Sequence, residues 1–397
     1  MILDLLVVAT LAVVLGRWAL LMGLAGRRGR PEHPLGHTPV TVVLPAWNEA
    51  MVIGATIDAV LSSPQVAQLI VVDDGSTDGT ADVVRARAER DERVRLVAQP
   101  TNQGKSAALN RGFEVAANMV VVTVDADTHP EPTAISRLVA ALDDPLVAAA
   151  AATIRVDRTN GALTRWQRLE YVTSMNLVRR AYALLGGLAT VPGCLSAWRR
   201  DVVVQAGGFR GRTLAEDTDL TLVVQGRGHR VAMVDDAIAY TQAPDTVSSF
   251  LAQRRRWLRG NLQCAWLHRG LLWQGPAGLR RGALPDLWWT HLGMFLVAPL
   301  PLLWFPHGLS HMSVGSMWVA TGCLWLLDAV GAAFALWLER ERPSLLWSLP
   351  LQRVVYPFLL GAVFALVVAE VLTGRAPRWR PVARRAPASG DARPEAR

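Results

Sequence analysis

Cysteine is scarce in this sequence. Three occur in 397 residues, Cys194, Cys264 and Cys323, and none forms a CxxC pair. That excludes a disulfide framework and a cysteine zinc site, and it fits a reducing compartment for the soluble part. Lysine is scarcer still: of 41 basic residues only Lys105 is lysine, the rest being arginine. Such a bias is most simply an effect of genome composition, yet it sets Lys105 apart. No GxGxxG follows the first predicted strand, where Pro45-Ala46-Trp47 stands instead, and no GxxxxGK[ST] loop occurs. Both absences disfavour a dinucleotide dehydrogenase or a P-loop ATPase. The first apolar run also lacks the basic leader of a cleaved signal, with Asp4 in its place.

What is present is apolar and basic. Hydrophobic residues make up 51% and the formal net charge is +8, which predicts an anionic partner: a phosphate group, nucleic acid or an anionic lipid. Residues 2–24 are long enough to span a bilayer, with Arg17 near enough to one end to snorkel. The cluster "GRRGR" follows, so the positive-inside rule places residue 26 onward in the cytoplasm. No arginine or lysine lies between Arg281 and Arg340 or between Arg353 and Arg375, and these gaps hold candidate spans near 286–306, 316–338 and 354–373. Eleven of the 15 tryptophans lie from Trp257 onward, as expected where rings sit at a membrane interface. A multi-pass protein of the cell membrane, its soluble part cytoplasmic, is the expectation. One N-terminal and three C-terminal spans would leave the basic tail 374–397 outside, so one apolar segment is expected to be re-entrant or interfacial. The end of that tail is expected to be disordered.

Between the membrane segments, over 38–245, strands and helices alternate. "VTVVLP" (40–45), "LIVVDD" (69–74), "VRLVA" (94–98) and "MVVVTVD" (119–125) read as buried strands. Helices are predicted over 49–61, 78–90, 104–117 and 131–142. A strand near 146–154, a long helix near 161–185 and a strand near 231–235 follow. The class is α/β with a mostly parallel, Rossmann-like sheet, and ligands of such sheets bind beyond the carboxyl ends of the strands. Those ends carry "PAWNE", "DDGSTDGT" and "DADT", which brings several carboxylates to one crevice.

Asp125 and Asp127, at i and i+2 where a buried strand ends, can both reach one cation. Two carboxylates plus substrate phosphates are a usual way to hold Mg²⁺ or Mn²⁺; the alternative is an acidic helix-capping turn. In "VVDDGSTDGT", capping before the next helix accounts for Gly75 to Thr80. It does not account for Asp73 and Asp74, whose paired charges need hydrogen-bond donors. Lys105 opens a helix after a glycine, where backbone and ammonium can approach an anion. In "LAEDTDL", acidic residues suit a first helical turn, and Asp217 is a candidate general base if it faces the crevice.

Taken in order, "TVVLPAWNE", "VVDDGSTDGT", "NQGKSAALN", "VDADT", "LAEDTDL" and "QRRRW" resemble the family-two inverting glycosyltransferases of GT-A fold. In particular, the set resembles the processive membrane synthases of poly-N-acetylglucosamine, hyaluronan, chitooligosaccharide and cellulose. The resemblance covers residues 38–275. It implies that Pro45, Ala46, Trp47, Asn48 and Glu49, with Asp73 and Asp74, line the uracil and ribose pocket of a UDP-sugar. Lys105 and Asp125 would contact the nucleotide, and Asp127, with Asp125, the metal. Asp217 would take the acceptor proton beside Glu216. Gln253, Arg256 and Trp257 form QxxRW, which would close over the diphosphate and stack on the acceptor. Trp47 replaces a common tyrosine or phenylalanine and Ala215 a common threonine or serine, changes that bear on pocket shape rather than on the chemistry.

The expected organisation is an N-terminal transmembrane helix (1–25), a GT-A domain (38–245), interface helices with QxxRW (246–282), C-terminal transmembrane or re-entrant segments (285–373) and a basic tail (374–397). The expected function is transfer from a UDP-sugar to a growing β-linked polysaccharide or lipid-linked acceptor, with transfer of a single sugar to a polyprenyl-phosphate lipid carrier as the alternative. A scaffold or exporter with a dead domain would lack one of the DxD, Asp217 or QxxRW elements, and all are present. Membrane lipids, and export subunits or further copies of the chain, are the expected partners. No aromatic platform or basic stripe lies away from the membrane-proximal region, so nucleic acid is not.

Overall fold

The structure, a computed structural model, describes residues 2–293 and 314–374. The chain enters through helix α1 (Ile2–Arg28) and then alternates: β1 (Val40–Ala46), α2 (Ile53–Leu61), β2 (Val66–Asp73), α3 (Thr80–Ala88), β3 (Val94–Ala98), α4 (Lys105–Val115), β4 (Val120–Val124). A three-residue strand β5 (Thr128–Pro130) precedes α5 (Ala134–Ala140) and β6 (Val147–Val156). Next come α6 (Ala162–Glu170), a π-helical turn (Tyr171–Asn176), α7 (Leu177–Ala183), β7 (Leu195–Arg199), α8 (Arg200–Ala206), α9 (Glu216–Gly226) and β8 (Arg230–Thr241). The membrane-proximal part holds α10 (Val247–Leu267), α11 (Leu271–Gln274), α12 (Leu284–Trp288), α13 (Val314–Leu338) and α14 (Leu349–Thr373).

Eight strands among the described residues form one sheet in the order β3-β2-β1-β4-β7-β6-β8-β5. The pairs β3–β2, β2–β1, β1–β4 and β6–β8 are parallel, whereas β7 runs against both β4 and β6, and β5 against β8. The sheet is thus mixed, and the two reversed strands are departures from the alternation expected of the sequence. β7 ("LSAWR") leads straight into α8 with no separate turn signal, and β5 is too short to show a period.

Strand periodicity explains the three layers. Val42 and Leu44 point to one face, where they pack with Ile53 and Ile57 of α2 and Ile135 and Leu138 of α5. Val43 points to the other and packs with Leu109 and Phe113 of α4, Val203 of α8 and Leu220 of α9. Because both faces are covered, β1 and β4 are buried at every residue, which is why they read as apolar runs interrupted only by Thr41 and Thr123. The packing of α4 on β1 leaves no room at Gly112, where an added Cβ would stand 2.2 Å from Val43 Cγ1. Gly112→Ala is therefore expected to destabilise the protein by about 1–3 kcal/mol through overpacking. A lowered melting midpoint in thermal unfolding checks this.

A second apolar core ties the chain ends together. Leu21, Leu24 and Ala25 of α1 pack with Leu177 and Ala181 of α7 and with Ala332, Ala335 and Leu336 of α13. Buried charges at this junction are paired, as desolvation requires. Arg28 meets Asp235 at 2.6 Å, and Arg180 meets Glu339 at 2.8 Å and Asp235 at 3.2 Å. Arg17 pairs with Asp286 of α12 at 2.6 Å, so its charge is met by a carboxylate of the protein. Among the described residues, one helical stretch, Pro343–Thr373, is long and apolar enough to cross a membrane, with mean hydropathy 2.3. The expected span 286–306 lies outside the described residues from 294 onward, as does the tail beyond 374.

Candidate active site

The carboxyl ends of β3, β2, β1 and β4 open on one crevice, and hydrogen bonds link their loops in series. The Asp74 amide donates to the Ala46 carbonyl at 2.8 Å. Asn48, in the left-handed region at φ 55°, donates its amide to Ser76 Oγ and accepts from the Thr77 amide, both at 2.9 Å. The Glu49 amide reaches Thr80 Oγ1 at 2.9 Å. The "PAWNE" loop is therefore stapled to the "DGSTDGT" loop. Asp73 and Asp74 are buried, and their donors here are backbone amides: Ser76 to Asp73 at 3.1 Å, Gln103 and Gly104 to Asp74 at 2.7 and 2.8 Å. Asp74 thus fixes the loop that delivers Lys105. Gly75 allows the approach, because its φ is +71° and an added Cβ would stand 2.7 Å from the Thr101 backbone.

Lys105 is the hub of the charged group. Its Nζ lies 2.5 Å from Asp125 Oδ1 and 3.6 Å from Glu216 Oε1. Burial would lower the ammonium pKa, but the carboxylates of Asp125, Glu216 and Asp217 together hold it above its ordinary value. Asp217, in the first turn of α9, accepts from the Gly193 amide at 3.1 Å and from the Thr218 amide at 2.8 Å. Burial and then the Glu216 carboxylate raise its pKa, outweighing the opposing pull of Lys105 and the two amides. A raised carboxylate in a crevice is suited to accepting a proton near neutral pH. The segment before β7 completes this wall, since a Cβ added at Gly193 would lie 3.3 Å from Lys105 Nζ and 3.6 Å from Asp217 Oδ2.

Asp127 sits two residues beyond Asp125 and is buried, with the Thr128 and Thr241 hydroxyls 3.4 and 3.5 Å from its Oδ1. Among the described residues no group of three or more His, Cys, Asp or Glu side chains could hold a metal ion. The donor set of Asp125 and Asp127 instead fits a hard divalent ion that takes its remaining oxygens from a diphosphate and water.

The QxxRW segment lies on α10, whose start is capped by the Thr246 hydroxyl accepting from the Ser249 amide. Helix α10 passes hard against the approach to α9: a Cβ at Gly260 would be 2.8 Å from the Ala215 nitrogen, and Asn261 Oδ1 accepts from the Thr218 hydroxyl at 3.1 Å. Trp257 packs against the core cluster that includes Ala126 and Tyr171, its ring centre 6.4 Å from that of Tyr171. Gln253 Oε1 is buried without a hydrogen-bond partner. The other arginines of the run meet carboxylates of the chain: Arg254 is buried against Glu170, and Arg255 and Arg259 both reach Glu370 of α14, at 3.2 and 3.3 Å.

Lys105, Asp125, Glu216 and Asp217 are thus brought together, with Asp127 two residues beyond Asp125. The Pro45–Glu49 and Asp73–Asp74 loops form the neighbouring wall. Three nearby residues carry no motif that marks them in the sequence: Gly193, Tyr171 and Cys194, whose thiol is pushed up to about 12 by burial and by the Asp125 charge.

This sheet order and the acidic strand ends define a GT-A type of fold. Residues 41–206 match the family model described as glycosyl transferase family 2, and the chain carries a domain of that transferase family. A probable glycosyltransferase of Bacillus subtilis, YdaM, is 34% identical over 230 residues, 56% of this chain and 55% of that protein. The uncharacterized glycosyltransferase YaiP of Escherichia coli is 28% identical over 90% of this chain and 89% of its own. The poly-beta-1,6-N-acetyl-D-glucosamine synthase of Staphylococcus aureus is 27% identical over 56% of this chain and 54% of its own length. The chain thus spans about half the length of two of these relatives. In fold it is similar to a mannosyltransferase of Pyrobaculum calidifontis solved with GDP-Man and Mn²⁺, at TM-score 0.65 and 23% identity, over 89% of this chain and 98% of that one.

Proposed function

We propose that the chain is a membrane-bound inverting glycosyltransferase that transfers a sugar from a UDP-sugar to a growing β-linked polysaccharide at the cytoplasmic face. The observation that carries this reading is the group made by Lys105, Asp125, Glu216 and Asp217 at the strand ends, with Asp127 adjoining. The acceptor hydroxyl oxygen attacks the anomeric carbon, the bond from that carbon to the diphosphate oxygen breaks, and UDP leaves. Asp217 receives the acceptor proton. Lys105 supports the diphosphate as its charge grows, and Arg256, which has no hydrogen bond or ion pair among the described residues, is available to close over it. Mg²⁺ or Mn²⁺ held by Asp125 and Asp127 would supply a further positive charge to the leaving group. One displacement with Asp217 as the base inverts the configuration at the anomeric carbon.

Pro45 to Glu49 with Asp73 and Asp74 form the nucleotide wall in this reading, and Gln253 and Trp257 face the acceptor. Helix α14 is the anchor that the apolar stretch Pro343–Thr373 supports.

Membranes holding the full chain, incubated with radiolabelled UDP-sugars and one GDP-sugar, test the proposal. With Mg²⁺ or Mn²⁺ the expected result is incorporation from a UDP-sugar into polymer, abolished by a chelator and restored by the metal. A lipid-soluble product would replace polymer extension with single transfer to a lipid carrier. Incorporation from the GDP-sugar alone would overturn the donor.

A further inference from the structure

The run that holds QxxRW contains one arginine that the proposed chemistry does not use. Arg254 is buried, and its guanidinium lies 4.4 Å from the centre of the Trp257 ring and 5.1 Å from that of Phe250. Its terminal nitrogen donates to Glu170 Oε2 at 2.5 Å. The same Oε2 accepts from the Tyr356 hydroxyl of α14 at 2.8 Å. The Tyr356 and Phe250 rings pack at 5.3 Å, and Gln352, one turn earlier on α14, donates to the Trp166 carbonyl at 2.8 Å. Glu170 ends α6, and the π-helical turn that follows begins with Tyr171, whose ring meets Trp257. A chain of contacts therefore runs from Tyr356 of α14 through Glu170 and Arg254 to the Trp257 indole, which Tyr171 meets from the π-helical turn.

We infer that Arg254, Glu170 and Tyr356 form a positioning unit that sets the Trp257 ring, so that the apolar helix α14 is coupled to the acceptor side of the site. The physical basis is a stack held at both ends. A guanidinium over an indole face is attracted by the ring quadrupole, and the attraction is strongest when desolvated, as here. Its in-plane direction is fixed by the Glu170 carboxylate, whose own place is fixed by the Tyr356 hydroxyl. Loss of that hydroxyl leaves the carboxylate with one donor fewer and frees the guanidinium to turn. Arg254 touches no reacting atom in this scheme. It acts through Trp257.

The inference rests on the proposed transferase reading for its kinetic consequence, so the test has two separate readouts. The full chain in lipid nanodiscs is labelled with fluorotryptophan, and the Trp257 fluorine resonance is assigned from its disappearance in Trp257→Phe. Tyr356→Phe and Glu170→Gln, both nearly isosteric, are expected to shift or broaden that resonance. With UDP-N-acetylglucosamine as donor and a short β-linked N-acetylglucosamine oligomer as acceptor, both should raise the acceptor KM by about three- to tenfold, the size of one such contact. The donor KM and the rate of donor hydrolysis should not move. In the Trp257→Phe background, Tyr356→Phe should change the acceptor KM no further. An unmoved resonance overturns the coupling. So does an equal rise in both KM values, or the same acceptor effect persisting without the indole. If the unmodified chain turns over no nucleotide sugar, the transferase reading falls and the resonance alone decides the coupling.

Discussion

Asp217→Asn is expected to lower the initial rate of UDP release by about 10²–10⁴-fold, the span that a positioned general base contributes. Geometry contributes before electrostatics does. Both carboxylate oxygens of Asp217 accept a backbone amide, from Gly193 and from Thr218, so the group is held with little freedom. Asparagine keeps the shape but cannot accept a proton, and its NH₂ must face one of those two donors. A fall in melting midpoint worth about 1–3 kcal/mol should accompany the loss. The pH dependence separates the two effects. Because burial and Glu216 raise the Asp217 pKa, the acid limb of the kcat profile should lie above the ordinary aspartate value of about 3.9, and it should vanish in the variant. For stability the sign is opposite. The protonated form favours the fold, so this contribution is complete below about pH 3.9 and is lost as pH rises through the folded value. Relative to the unmodified chain, the variant should therefore gain stability as pH rises. A rate that survived the substitution would remove Asp217 from the chemistry.

The strands and helices of the α/β part are legible in the sequence because their physics is local. β1, β2, β3 and β4 are apolar runs ended by turn chemistry, and the helices after them carry apolar faces that strands of the same sheet bury. The members of the acidic group lie at strand or helix ends, where a reader can place them without knowing the fold. Partners across the fold were not visible in this way. Nothing in "LATVPGCLSAWRR" announces that β7 reverses and brings Gly193 to Asp217, and nothing in "VDADTHP" announces a three-residue strand paired with β8. The arginines of "AQRRRWLRGNL" show the same limit. Helical angle alone separates Arg254, Arg255 and Arg259 from Arg256, but it cannot say that their counter-charges are Glu170 and Glu370, the latter more than a hundred residues away. Desolvation and long-range pairing decided these placements.

Lys105→Met is the second substitution expected to have a large effect, and it tests why one lysine persists where every other basic residue is arginine. The ammonium lies between Asp125 and Glu216 and also acts on Asp217. In the proposed reaction, removing it takes away a preorganised charge beside the leaving diphosphate, for which a loss of about 10²-fold in kcat is expected. It also removes the cation that holds the Asp217 pKa down, so the acid limb of the kcat profile should move to higher pH than in the unmodified chain. Lys105→Arg should not restore the rate. A Cβ added at Gly193 would already stand 3.3 Å from Nζ, and a planar guanidinium is too broad to replace a point charge in that gap. If Lys105→Arg were fully active, the single lysine would reflect codon history alone. If the acid limb stayed in place in Lys105→Met while the rate fell, Lys105 would serve the diphosphate and not the base.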